Sequence, residues 1–119
     1  MFKKIVKDVS KNMEHKANKK EYFLASRYAE LGNKTWQFLL AQMYETGTTI
    51  VTKDILTAYA WYYFSHQNGM KEAEKRLTLL ESQLTNEQLN EAKDIISRNM
   101  RYVNPKTKNL FVMMKRLFC

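Results

Sequence analysis

Residues 40–69, "LAQMYETGTTIVTKDILTAYAWYYFSHQNG", hold two of the chain's three glycines and an adjacent Trp61–Tyr62 pair. Gly47 closes an apolar-periodic run over 35–46, and Gly69 closes another over 54–68. A helix end favours glycine there because the capping residue takes a left-handed conformation without a Cβ penalty. Asp54 stands where it can cap the second run or match the positive end of its dipole. The stretch therefore reads as two helices joined by the loop around "GTTIVTKD".

Working outward, the same periodicity predicts helices over 2–13, 18–31, 70–83, 85–100 and 107–117, besides 35–46 and 54–68. Gly32 stops the run over 18–31 as the other two glycines stop theirs. Thr85 followed by Gln88 has the spacing of a capping box. The one proline, Pro105, falls beyond the strongly periodic segments, so no helix interior is interrupted. Short connections between successive helices predict antiparallel neighbours and an all-α fold.

A repeat runs through this pattern. Sliding the chain by 37 positions sets Tyr22 on Tyr59, Gly32 on Gly69, Lys34 on Lys71, Trp36 on Ala73 and Leu40 on Leu77. A period in the thirties is the mark of stacked helix pairs, each burying a face that it cannot bury alone. In the central pair, the small Ala41 and Ala58 let two backbones approach while Trp61 fills the flank of the hairpin. Tyr44 and Tyr62 can bury their rings and keep their hydroxyls for a polar partner.

These residues resemble the Sel-one-like repeat family, relatives of the tetratricopeptide repeats. "WQFLLAQMYETG" carries Leu40, Ala41, Met43, Tyr44 and Gly47 of the unit's first helix. "DILTAYAWYYFSHQNG" carries Asp54, Ala58, Trp61, Tyr62 and Gly69 of its second. The resemblance implies a short right-handed α-solenoid of antiparallel helix hairpins with N- and C-terminal capping helices. It divides one domain, 1–119, into a central unit at 33–69, partial units at 18–32 and 70–83, a capping helix at 85–100 and a basic tail at 101–119. Ser65 and His66 replace the family's usual alanine pair, which predicts a less crowded neighbour for that helix end.

Composition narrows the function. The chain has 119 residues, 45% of them hydrophobic, and a net charge of +8. Residues 1–20 carry seven lysines against Asp8 and Glu14, residues 98–119 carry six lysines or arginines and no acid, and the middle has seven bases against ten acids. Two basic ends thus flank a weakly acidic body, which favours anionic partners. No leader pattern or membrane-length apolar run is present, so a cytoplasmic protein is expected. Cys119 is a lone thiol.

Catalytic and metal signatures are missing from the sequence: there is no phosphate-cradling loop, nucleophile elbow or His-Glu-x-x-His motif, and His15 and His66 lack companions at ligand spacing. No enzyme activity, cofactor or metal is expected. The resemblance implies a protein-binding module, similar to small bacterial adapters or regulators, with a protein partner that can be acidic. The candidate binding residues are Gln37, Gln42 and Glu45, taken as the exposed face of the first repeat helix, with Lys106, Lys108, Lys115 and Arg116 in the tail. The alternatives are an inhibitor or immunity protein that occludes a toxin or defence enzyme, and nucleic-acid binding through the basic ends. Membrane-surface contact through the amphipathic ends ranks below these, and the expected state is a monomer or weak homodimer.

Overall fold

The computed structural model describes residues 19–103, which form five helices: α1 (Lys19–Glu30), α2 (Lys34–Thr46), α3 (Ile55–Gln67), α4 (Glu72–Gln83) and α5 (Asn86–Arg98). A 3-10 turn, Met100–Tyr102, follows. The described residues contain no strand. The expected helices 2–13 and 107–117, and the basic tail from 104 onward, lie outside the described residues.

Local chemistry sets the helix starts. Asn33 caps α2 by accepting from the backbone N–H groups of Thr35 and Trp36, a start that the sequence reading did not identify. Asp54 caps α3 through the N–H of Thr57 and also accepts from its hydroxyl at 2.7 Å. Thr85 and Gln88 make both bonds of the capping box on α5. Each cap satisfies backbone donors that the first helical turn leaves without partners.

The helix stops at Gly32 and Gly69 are the same turn built twice. Gly32 N–H donates to the Ala29 carbonyl (3.0 Å) and Asn33 N–H to the Tyr28 carbonyl (3.1 Å). Thirty-seven residues on, Gly69 N–H donates to the His66 carbonyl (3.0 Å) and Met70 N–H to the Ser65 carbonyl (2.9 Å). This paired closure is a Schellman motif, and the glycines sit at φ +91° and +105°, where a side chain would be strained. Gly47 ends α2 differently, with a single bond to the Met43 carbonyl and an extended ψ that sends the chain into the loop.

Packing centres on α3. It lies most extensively against α2 and also contacts α4 and α5, while α1 packs on α2. Its residues explain this position: Ala58, Tyr59, Ala60, Tyr62, Tyr63, Phe64 and Ser65 are all buried, so apolar or small side chains run right round the helix. Ala41 of α2 and Ala58 of α3 are both wholly buried, which permits close approach of the two backbones. One core cluster holds Ala25, Ala29, Trp36, Leu39, Leu40, Met43 and Val51; the other gathers around α3, and half-buried Tyr44 and Trp61 touch both. Trp61 also has a role the repeat pattern did not predict. It stacks on Tyr102 (5.1 Å between ring centres, 25°) and meets Phe64 edge-on, so it anchors the segment after α5.

Ser65 corrects an expectation. Rather than facing an uncrowded neighbour, it is fully buried and donates to the Lys34 carbonyl at 2.7 Å. The bond satisfies a hydroxyl that would otherwise be costly to bury at this crossing.

Candidate interaction surface

The equivalence of the two helix pairs extends beyond their turns into side-chain bonding. Tyr22 of α1 shares a hydrogen bond with Tyr44 of α2 (3.1 Å), and Tyr59 of α3, 37 residues on, donates to Glu81 of α4 (2.5 Å). Tyr44 and Glu81 are likewise 37 apart. Burial, then the bond to Tyr22, pushes the Tyr44 phenol well above its ordinary range. With Ile50, Val51, Thr52, Lys53 and Asp54, the tyrosine pair lines an open depression of about 300 Å³ at the loop.

Equivalent positions on the outer faces of α1 and α3 have opposite fates. Phe23, Arg27 and Leu31 project from α1 at successive helical turns, on the side away from the wholly buried Ala25 and Ala29. Their counterparts in the second pair are Ala60, Phe64 and Asn68, all buried. The α3 face is covered by neighbours: Tyr102 lies edge-on to Phe64, and its carbonyl accepts from Asn68 Nδ2 at 3.0 Å. Among the described residues nothing covers the α1 face in this way, and Phe23 is 63% and Leu31 75% exposed. Isolated apolar residues at a surface are ordinary; two large ones aligned on a stripe whose counterpart is buried make this a candidate interaction face. Lys20 joins this stripe, and neither it nor Arg27 forms an ion pair among the described residues.

The structure separates the residues that sequence reasoning had placed on one binding face. Gln37 is not exposed but wholly buried. Its amide donates to the carbonyls of Ala29 and Tyr102, each at 2.9 Å, and its oxygen accepts from Asn68 at 2.8 Å. Helical spacing alone set Gln37 beside polar residues, whereas these backbone carbonyls supply the partners that let an amide be buried. Gln42 is half-buried. Glu45 is bound into the body, accepting from the Tyr62 hydroxyl at 2.6 Å and pairing with Arg76 of α4. Burial, reinforced by Glu45, raises the Tyr62 phenol well above its ordinary range. Arg76 is raised too: burial pulls it down, but Glu45 and Tyr62 more than offset this. Lys106, Lys108, Lys115 and Arg116 lie outside the described residues.

The remaining motif residues occupy packing or turn positions: Leu40, Ala41, Ala58 and Tyr62 are buried, Tyr44 and Trp61 half-buried, Gly47 and Gly69 end helices, and Asp54 caps one. His66 pairs with Glu74 at 2.9 Å. Among the described residues, no group of three metal-ligand side chains gathers and no helix is long and apolar enough to cross a membrane. Phe23, Arg27 and Leu31 went unnoticed in the sequence, although setting them on Ala60, Phe64 and Asn68 would have singled them out. Comparison with known proteins gave no matching family model, no matching curated protein and no matching solved structure.

Proposed function

We propose that this chain is a non-catalytic protein-binding module, a short right-handed solenoid resembling the Sel-one-like repeat proteins, that docks a protein partner on the outer face of α1. One observation carries the reading. The stripe Phe23–Arg27–Leu31 is exposed, while the repeat-equivalent stripe Ala60–Phe64–Asn68 is buried under other parts of the chain. A stack of helix pairs leaves such a face at each open end, and a partner helix or loop that covers it gains the apolar burial that α3 obtains internally. Adapter and inhibitor roles both use a surface of this kind.

The test uses the full chain, tagged and recovered at moderate salt from the cells that make it, in parallel with Phe23→Ser/Leu31→Ser. The expected result is a defined partner that comes with the wild type and is lost from the variant, at unchanged melting temperature. Recovery of the same partner with the variant contradicts the reading.

A further inference from the structure

We infer that the partner segment seated on α1 is an acidic amphipathic helix. This rests on the proposed protein-binding role and adds the chemistry of what is bound. Helix geometry makes the first part of the argument. Lys20, Phe23, Arg27 and Leu31 follow one another at i, i+3, i+7 and i+11, so they form a single stripe along α1, with half-buried Leu24 beside it. Apolar and basic side chains alternate along this stripe, and Lys19 is exposed at its start. Glu30 is the acid at its edge; Glu21 lies on another side of the helix.

The repeat supplies the second part. In the second pair, the matching stripe of α3 meets Gln37 of α2 through Asn68 and the 3-10 turn through Tyr102, whose ring lies edge-on to Phe64 and whose carbonyl accepts from Asn68. The first pair has nearly the same helix lengths and the same Schellman turn, so its open stripe occupies the position that the chain covers in the second pair. The counterpart of Arg27 is Phe64, and that of Lys20 is Thr57. Positions filled by apolar or neutral side chains where the chain covers itself therefore carry positive charge where it does not.

Charge decides the occupant. Lys20 and Arg27 stand in the stripe with Lys19 at its start and Glu30 as the acid at its edge, so the stripe favours an acidic occupant. A partner helix with leucine-like residues at i, i+3/i+4 and i+7 covers Phe23 and Leu31, and acids beside them meet Lys20 and Arg27. The apolar half of the stripe distinguishes this partner from a nucleic-acid backbone, which offers charge alone.

The experiment titrates the full chain against two fluorescent 21-residue peptides with identical leucine positions, one with glutamate and one with lysine at the polar positions. The glutamate peptide is expected to bind at least about tenfold more tightly. Lys20→Glu/Arg27→Glu is expected to reverse that preference, and Phe23→Ser/Leu31→Ser to weaken both peptides by at least about tenfold. All variants are expected to melt as wild type, since the altered side chains are exposed. Equal binding of the two peptides, or wild-type affinity in the serine variant, overturns the inference. So does stripe-dependent sedimentation with phosphatidylserine vesicles in the absence of peptide binding, which would assign the face to a lipid surface. Loss of the cellular partner from the serine variant without any acidic preference removes only this inference; retention of that partner removes the protein-binding reading itself.

Discussion

The pair α1–α2 and the pair α3–α4 are built on one plan and finished differently. Their helices have nearly the same lengths, their glycine turns have the same two hydrogen bonds, and each joins a tyrosine to a residue 22 positions later. In the first pair that bond is Tyr22 to Tyr44, and in the second it is Tyr59 to Glu81. The outer stripe of the first is Phe23–Arg27–Leu31 in solvent; that of the second is Ala60–Phe64–Asn68 under cover. The difference teaches that repeat position sets the backbone, whereas what lies next to each helix sets the side chains that the position tolerates.

The largest effect expected from breaking this comparison is at Phe64. Phe64→Ala should destabilise by about 3–5 kcal/mol, because a fully packed ring leaves a cavity among Trp61, Tyr63 and Tyr102. Arg27→Ala at the equivalent site should change stability by no more than about 0.5 kcal/mol. Urea unfolding of the two variants measures the contrast, and similar costs would erase the distinction between the pairs.

An exchange between the pairs sharpens it. Ala60→Phe, which installs the residue found at position 23, should cost about 1–3 kcal/mol through overpacking, and Phe23→Ala should be close to neutral. Ala58→Leu belongs to the same class, since Ala58 is wholly buried in the core cluster that also holds Ala41 of α2. Thermal melts of the three proteins give the order directly.

Gln37 joins the pairs, and its removal is expected to cost about 1–3 kcal/mol. Gln37→Leu leaves the carbonyls of Ala29 and Tyr102 without one of their donors and Asn68 without one of its acceptors. The equivalent residue, Glu74, pairs with His66 nearer the surface, and Glu74→Leu should be much milder. Equal losses would show that the buried amide does not tie the pairs together.

Much of this was legible in the sequence. The three glycine stops, the Asp54 cap and the Thr85–Gln88 box are local features, settled by a few neighbouring residues, and they stand where the pattern put them. The 37-residue offset was visible as well. What could not be read was which faces the chain covers for itself. Gln37 looked solvent-facing because its partners are the carbonyls of residues 8 and 65 positions away. Ser65 looked like a loosened contact because its acceptor, the Lys34 carbonyl, belongs to the other pair. Phe23 and Leu31 looked like ordinary helix residues until Ala60 and Asn68 were found buried.

The smallest expected effect is in alkali. Burial raises the Tyr44 and Tyr62 phenols above their ordinary value of 10.0, so the folded chain holds these protons more tightly than the unfolded one. Their contribution is full below about pH 10 and is lost as pH rises toward the folded values. Wild type should therefore lose stability steadily above about pH 10, and Tyr44→Phe/Tyr62→Phe should lose less. Parallel pH profiles in urea would contradict this.

The proposal is that the α1 stripe, open among the described residues, is covered by another molecule. Maleimide labelling of Phe23→Cys and Leu31→Cys, each in a Cys119→Ser background, tests it most directly. In the purified protein both thiols should react as fast as in the unfolded chain, whereas Phe64→Cys stays protected. In extract from the cells that make the protein, the thiols at 23 and 31 should become protected. Protection in the purified chain, or equal reactivity in both settings, would contradict the account.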